Sequence, residues 1–218
     1  MKRFYLLIIL MISFGALAYA DDQQVYYDRY FRIAEKYAGK GNFSKAFDSY
    51  KKAYEYKQDT FEINMAMGLA YNEIKDTVHA EPHLLKAAEI EPFNLSANLA
   101  GGVICRINKN YRKSVELLEQ AYRISPFNFS VVYELANTYW VGPRNARKAI
   151  EYLERARSIN AHVPRLYTAY GRIYAETGNY DEAKGYYLKA LDLSTDQGNK
   201  KVIAQANDAL KRLERKMF

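Results

Sequence analysis

The residues that most often bind metal ions or carry catalysis are sparse in this chain, which contains three histidines and one cysteine. His79 and His83 are four residues apart, so they share one face of a predicted helix and together can hold a metal ion weakly. A lasting metal site needs a third or fourth protein ligand, and no further ligand stands at a matching spacing. We therefore expect two histidines on the surface of an outer helix and no metal site.

The remaining candidates lack the neighbours that catalysis requires. His162 precedes Pro164 in a turn, without a serine, cysteine or aspartate arranged beside it. Cys105 falls at an apolar position of a predicted helix, where a thiol is buried and inert rather than exposed and reactive. The sequence also has no glycine-rich phosphate-binding loop. It thus predicts a protein that is not an enzyme and uses no cofactor.

The composition is that of a globular protein, with 49% apolar residues in a chain of 218. The net charge is +7, and the basic residues are spread along the chain rather than clustered, so nucleic-acid binding is not predicted. A single cysteine leaves no internal disulfide, and stability must come from packing. Tyrosine is frequent, at 21 residues, which suits crowded contacts between helices.

Residues 1–20 have the features of a secretory signal peptide. Lys2 and Arg3 form a basic start, an apolar run extends over 4–17, and Ala18 and Ala20 supply the small residues of a cleavage site before an acidic pair. We expect cleavage after residue 20 and an exported protein, periplasmic or secreted. The alternative is an uncleaved anchor, although a membrane-spanning helix needs about 20 apolar residues.

Three stretches of nearly the same sequence recur along the chain: NFSKAFDSYKKA from Asn42, NYRKSVELLEQA from Asn110 and NYDEAKGYYLKA from Asn179. Their starts are 68 and 69 residues apart, so a period of 34 fits both intervals if a weaker copy lies in each and one residue is inserted. Five copies share a small–large–small pattern, namely Ala46, Tyr50, Ala53; Ala80, Leu84, Ala87; Ser114, Leu118, Ala121; Ala149, Leu153, Ala156; and Ala183, Tyr187, Ala190.

Each copy contains two stretches of helical periodicity that are joined by a short turn, such as AGKGN (38–42) or ETGN (176–179). Glycine would end the first helix and asparagine would cap the second. Small residues in both helices allow them to approach closely. One helix pair cannot bury its own apolar face, so neighbouring pairs must stack. The expected fold is all-α.

This pattern resembles the tetratricopeptide repeat (TPR), whose motif is large, large-small and aromatic, followed by alanine, aromatic, alanine and proline. The resemblance covers residues 27–197 and implies a right-handed α-solenoid of five helix pairs plus a C-terminal capping helix. Members of the family usually bind peptides or proteins without catalysis. The expected copies are 27–60, 61–94, 95–128, 129–163 with the one-residue insertion, and 164–197, and the capping helix is 198–218.

The capping segment has an apolar stripe from Val202 to Met217, and most of its basic residues lie off that stripe. We interpret the basic residues as the solvated face of the capping helix. The alternative is a basic patch that contacts anionic lipid or an acidic partner.

Positions 2, 5, 9 and 12 of each first helix form a second stripe, which lines a ligand-binding groove in the resembled family. The middle copies place apolar side chains there, where a two-layer helix would be polar, while the first end is acidic and the last is basic. We call the candidate binding residues the groove stripe: Phe31, Met65, Leu69, Asn72, Leu99, Val103, Arg106, Tyr133, Asn137, Trp140, Arg165 and Arg172.

The groove stripe has two interpretations. Its aliphatic members either bind a ligand or partly fill the space between adjacent first helices. Trp140 is the only tryptophan and stands at a predicted helix end, so we expect it to be exposed and to dominate binding.

One subtype of the family is not indicated. Its members clamp a C-terminal carboxylate with lysine and asparagine in the first copy, asparagine in the second, and lysine and arginine in the third. The corresponding positions here hold Phe31, Glu35, Ala66, Ser96 and Ala100, so that clamp is missing.

The signal-peptide features and the resemblance together predict an exported scaffold that binds a peptide or protein segment in its groove, in an envelope setting where complexes are assembled. An alternative is a structural protein that associates with itself and holds a segment of a neighbouring copy. A third class, an accessory protein that binds a small molecule between its helices, has less support. Membrane contact would be peripheral, or through an uncleaved signal.

Overall fold

The structure is a computed structural model that describes residues 22–217. The expected signal peptide, residues 1–20, lies outside the described residues. The described chain is helical, without strands, which confirms the all-α class. Its helices are α1 (22–38), α2 (Phe43–Tyr56), α3 (Phe61–Glu73), α4 (Thr77–Ile90), α5 (Leu95–Ile107), α6 (Tyr111–Ile124), α7 (Phe129–Val141), α8 (Ala146–Ile159), α9 (Pro164–Glu176), α10 (Tyr180–Asp196) and α11 (Lys200–Met217).

The turns inside the helix pairs repeat one backbone conformation. A residue with positive φ ends each turn, and these residues follow one another at intervals of 34, 34, 35 and 34: Gly41, Lys75, Lys109, Arg144 and Gly178. The backbone N–H of the next residue donates to a carbonyl near the end of the first helix, as from Asn110 to Cys105 at 2.7 Å. The interval of 35 locates the extra residue in the turn that joins α7 to α8.

Side chains at the starts of the helices satisfy backbone donors. Asn42 and Asn145 accept hydrogen bonds from the backbone N–H three residues on, at 3.3 and 3.0 Å, as the sequence predicts. Asp76 plays the same part at the start of α4. Asn179 differs, because its amide donates to the Thr177 hydroxyl at 3.2 Å and does not cap α10.

The helices divide into two compact units, and the division falls between Ile104 and Cys105, within α5. In the first unit, aromatic and small side chains of α1 and α2 form a core with Ile63 and Met67 of α3. A second cluster joins Ala80 and Leu84 of α4 to Ile104.

The second unit comprises the end of α5 and helices α6 to α11. Its helices pack in sequence order from α6 to α11, and α9 also contacts α7 and α11. Gly171 of α9 lies so close to α10 that a Cβ atom would stand 2.6 Å from the ring of Tyr187. Leu213 of α11 packs on Ala183 and Tyr187 and closes the C-terminal end of this unit.

Across residues 22–217, no helix combines the length and apolar character needed to span a bilayer.

Candidate binding surface

In the first unit, part of the groove stripe belongs to the hydrophobic core. The half-buried Phe31 ring stacks on Tyr27 at 5.5 Å and meets Tyr50 edge-on at 5.6 Å. Met65 packs against the cluster that contains Leu84. Phe31 therefore packs within its own helix pair, and Met65 packs against side chains of α4 and α5, as the space-filling interpretation expects for an aliphatic member.

The other members of the groove stripe in this unit reach solvent. Leu69 is 45% exposed, and Asn72, Leu99 and Val103 are half-buried. Leu69 and Asn72 of α3, and Leu99 and Val103 of α5, are therefore at least partly accessible.

In the second unit, two polar members of the groove stripe bond to their own chain. Arg106 forms an ion pair with Glu134 at 2.8 Å, and both side chains are largely buried. Asn137 is 8% exposed; its amide donates to the Tyr133 carbonyl at 3.1 Å, and its carbonyl oxygen accepts from Arg172 at 2.7 Å. Arg106 and Asn137 thus brace the helices, whereas the sequence suggested contacts with a ligand.

The expectation that Trp140 is exposed is wrong. Its side chain is 5% exposed, because residues 135–140 at the C-terminal end of α7 are buried on all sides of the helix. The Arg144 guanidinium lies 5.1 Å from the centre of the Trp140 rings and forms an ion pair with Glu176 at 2.6 Å. Trp140 is a core residue, and helical periodicity alone does not reveal that a helix end is enclosed by its neighbours.

A cleft of about 800 Å³ lies in the second unit between α7, α9, α10 and α11. Three members of the groove stripe line it: Tyr133, Arg165 and Arg172. Its volume is within the usual range for ligand sites, about 300–1,000 Å³. The other lining residues are Thr168, Ala169, Ala175, Glu176, Tyr187, Gln205, Asp208, Ala209, Arg212, Leu213, Arg215 and Lys216.

The α9 wall of the cleft carries two arginines. The Arg165 guanidinium lies over the rings of Tyr133 and Phe129, with its central carbon 4.8 and 5.3 Å from their centroids. The Tyr133 hydroxyl in turn donates to the Arg165 carbonyl at 3.3 Å. Arg172 is held through Asn137 at 2.7 Å. Both cations are therefore oriented by neighbouring groups before any ligand arrives.

The α11 wall is also basic, since it contributes Arg212, Arg215 and Lys216. From the sequence, these residues are interpreted as a solvated face. Their spacing of three and four residues indicates that they share one side of the helix. The structure leaves all three residues exposed, as the solvated-face interpretation expects, and it also places them along the cleft.

The carboxylates of the cleft are already paired. Glu176 binds Arg144 at 2.6 Å, and Asp208 binds Arg212 at 2.8 Å. Within residues 22–217, no carboxylate forms an ion pair with Arg165, Arg172, Arg215 or Lys216. The cleft thus has an excess of positive charge. Burial raises the pKa of Tyr187, which also lines the cleft.

The two neighbouring histidines, His79 and His83, lie in the first unit. The described part of the chain contains no cluster of three or more histidine, cysteine, aspartate or glutamate side chains suited to a metal ion. His79 is exposed and pairs with Asp76 at 2.7 Å. His83 is half-buried beside Asn64 at 3.2 Å, so of the two histidines predicted at the surface only His79 is fully exposed.

Comparison with known proteins identifies the repeat. The family model of the tetratricopeptide repeat matches residues 27–60 and 164–197, two of the five stretches that the spacing delimits. Among curated proteins, tetratricopeptide repeat protein 21B of Xenopus laevis is 28% identical over 165 residues, which is 76% of this chain and 12% of that protein. This chain therefore corresponds to a small part of that relative.

Solved structures share the fold. A crystal structure of MamA is 25% identical, with a TM-score of 0.67, over 76% of this chain and 96% of that chain. YrrB, whose structure is described as that of a TPR protein with an unusual peptide-binding site, is 15% identical, with a TM-score of 0.67, over 82% of this chain and 90% of that chain. The chain is a tetratricopeptide repeat protein with an α-solenoid fold.

Proposed function

We propose that this protein is an interaction scaffold that binds a segment of a partner protein in the cleft between α7, α9, α10 and α11. The observation that carries the proposal is the cleft itself, which has a volume of about 800 Å³ and is lined by Tyr133, Arg165 and Arg172. That volume accommodates several side chains of a peptide, but not a folded domain. YrrB, which has the same fold, is described as having a peptide-binding site, and this supports the proposal.

A library of peptides displayed on phage tests this function directly. Peptides selected on the unmodified protein should lose binding when Thr168→Tyr fills the cleft. Thr168 lines the cleft and donates to the Arg165 carbonyl at 2.8 Å, one turn back along α9.

Thr195→Tyr is the matched control, because Thr195 makes the same kind of bond to Leu191 at 2.9 Å on the exposed side of α10. Circular dichroism should show that both variants keep their helices. Selected peptides that bind both variants equally well would place the binding surface elsewhere on the protein.

We further propose that the protein is exported and acts in the periplasm or outside the cell, where it contributes to the assembly of envelope complexes. Support comes from the basic start, the apolar run and the alanines at 18 and 20. N-terminal sequencing of protein from its native host should find Asp21 as the first residue. Intact Met1 in a membrane fraction would show an anchored protein instead.

A further inference from the structure

We infer that the segment bound in this cleft is acidic and presents carboxylates to the two arginines of the α9 wall. This inference rests on the proposed function and adds the chemistry of the partner. It starts from the charge balance of the lining, where five cations face two carboxylates and both carboxylates are engaged in ion pairs. A neutral or basic segment would leave this excess positive charge uncompensated.

Arg165 has the geometry of a carboxylate receptor. One face of its guanidinium is covered by the Tyr133 and Phe129 rings, and stacking of this kind leaves the N–H groups in the guanidinium plane available. Those groups match the two oxygens of a carboxylate, and the pair forms two parallel charge-assisted hydrogen bonds. Because the side chain is already oriented, less conformational entropy is lost on binding.

The two arginines on α9 set a distance for the ligand. Arg165 and Arg172 are seven residues apart, which is about 10 Å along the helix axis. A peptide in the extended polyproline II conformation rises about 3.1 Å per residue with three residues per turn, so carboxylates three positions apart lie on the same side with nearly the same separation. The preferred segment is therefore extended and carries acidic residues at positions i and i+3.

The surfaces between the charges suit small or aromatic side chains. Ala169, Ala175 and Ala209 leave room, and the rings of Tyr133 and Tyr187 supply apolar contact. An end-blocked peptide of sequence Gly-Glu-Ala-Tyr-Glu-Gly follows from these features. We expect it to bind at least about tenfold more tightly than the same peptide with both glutamates replaced by glutamine. Raising the salt concentration from 50 to about 300 mM should weaken the difference, because screening acts on the charges.

Two variants tie this preference to the cleft. Arg165→Gln should weaken binding of the acidic peptide about tenfold. Lys201→Gln, on the exposed surface of α11 and outside the cleft, should change it less than about twofold. Circular dichroism checks that both variants remain folded. Equal binding of the glutamate and glutamine peptides, or equal effects of the two variants, would overturn the inference.

The library selection separates failure of this inference from failure of the proposed function. Peptides that depend on the cleft, as judged by Thr168→Tyr, but are not enriched in aspartate and glutamate would overturn the acidic ligand and leave the scaffold intact. Absence of any cleft-dependent peptide would overturn both.

Binding of vesicles that contain anionic lipid, with loss on Arg165→Gln and no binding of the acidic peptide, would assign the cleft to a membrane surface and overturn the inference. Concentration-dependent sedimentation that is lost with Thr168→Tyr would show that a second copy of this chain occupies the cleft, which would likewise overturn it.

Discussion

Arg144 connects the buried end of α7 to the wall of the cleft in the second unit. The Trp140 ring is enclosed at the end of α7, and the Arg144 guanidinium that covers it is held by Glu176 in the cleft wall. The Trp140 indole therefore packs in the core, and the Arg144 guanidinium carries the charge that pairs with Glu176.

Trp140→Ala should destabilise the protein by about 3–5 kcal/mol, because it removes a buried aromatic side chain and leaves a cavity. Trp140→Phe should have a smaller effect, since the ring remains and the buried indole N–H, which meets no acceptor in the described residues, is removed. Urea unfolding followed by circular dichroism measures both. An unchanged unfolding midpoint for Trp140→Ala would contradict the burial of this residue.

His83 makes stability depend on pH. Its ring lies between Tyr54 and Tyr71, beside Asn64, and burial lowers its pKa from the ordinary value of about 6.5, helped by the charge of His79. Because the unfolded chain binds this proton more readily, stability is full above pH 6.5 and is lost as the pH falls below about 6.5.

His83→Gln should remove part of that loss, since glutamine keeps a donor but does not titrate. The unfolding free energy measured between about pH 5 and 7.5 should therefore vary less with pH in this variant. His162→Gln, at an exposed turn residue, is the control. A pH profile identical to that of the unmodified protein would exclude His83 as the source.

For single residues, sequence patterns predict which face of a helix a residue occupies more readily than whether it is buried. Tyr133, Arg165 and Arg172 were predicted as ligand-facing, and the structure brings them to one cleft. Trp140 was misjudged because its burial depends on neighbouring helices, whose positions the 3.6-residue period does not contain.

At the scale of elements, close contact within a helix pair depends on glycine. A Cβ atom on Gly171 would lie 2.6 Å from Tyr187, whose ring is buried and has little room to move. A Cβ atom added to Gly185, in the next helix, would have no neighbouring atom within 4 Å. The two residues form a matched pair on adjacent helices.

Gly171→Ala should destabilise the protein by about 1–3 kcal/mol through overpacking, whereas Gly185→Ala should stabilise it by about 0.5–1 kcal/mol through helix propensity. Thermal unfolding of both variants measures the difference. Equal shifts in the same direction would mean that α9 and α10 are farther apart than the structure shows.

The turns offer a second test. Lys109 adopts φ of 65°, a left-handed conformation that glycine reaches without strain. Lys109→Gly should therefore stabilise the protein by up to about 1 kcal/mol, and Gly178→Ala, at the equivalent turn with φ of 86°, should destabilise it by a similar amount. Chemical denaturation distinguishes the two signs, and a loss of stability with Lys109→Gly would count against this turn geometry.

The elements were the most predictable level. The 34-residue period and the turns were visible because each copy repeats small residues, glycine and asparagine at fixed positions. The left-handed conformation of Lys75, Lys109 and Arg144 could not be predicted, because lysine and arginine are not residue types that indicate a positive φ.

At the scale of the whole molecule, the reactivity of the Cys105 thiol measures how often unfolding exposes this part of α5 to solvent. It is the only cysteine, is fully buried, and is the residue at which the second unit begins. A thiol reagent should label the folded protein slowly, at a rate that rises with denaturant in step with unfolding. The urea-unfolded chain, which should be labelled at once, is the reference. Complete labelling of the folded protein within the mixing time would show that α5 is open to solvent.

The pairing of Arg144 with both Trp140 and Glu176 also has an optical consequence. Because Trp140 is the only tryptophan, excitation at wavelengths that tyrosine does not absorb selects emission from this single place. We expect an anion that enters the cleft to compete with Glu176 for nearby cations and so to change the field at the indole. Emission from the unlabelled protein should therefore report whether the cleft is occupied.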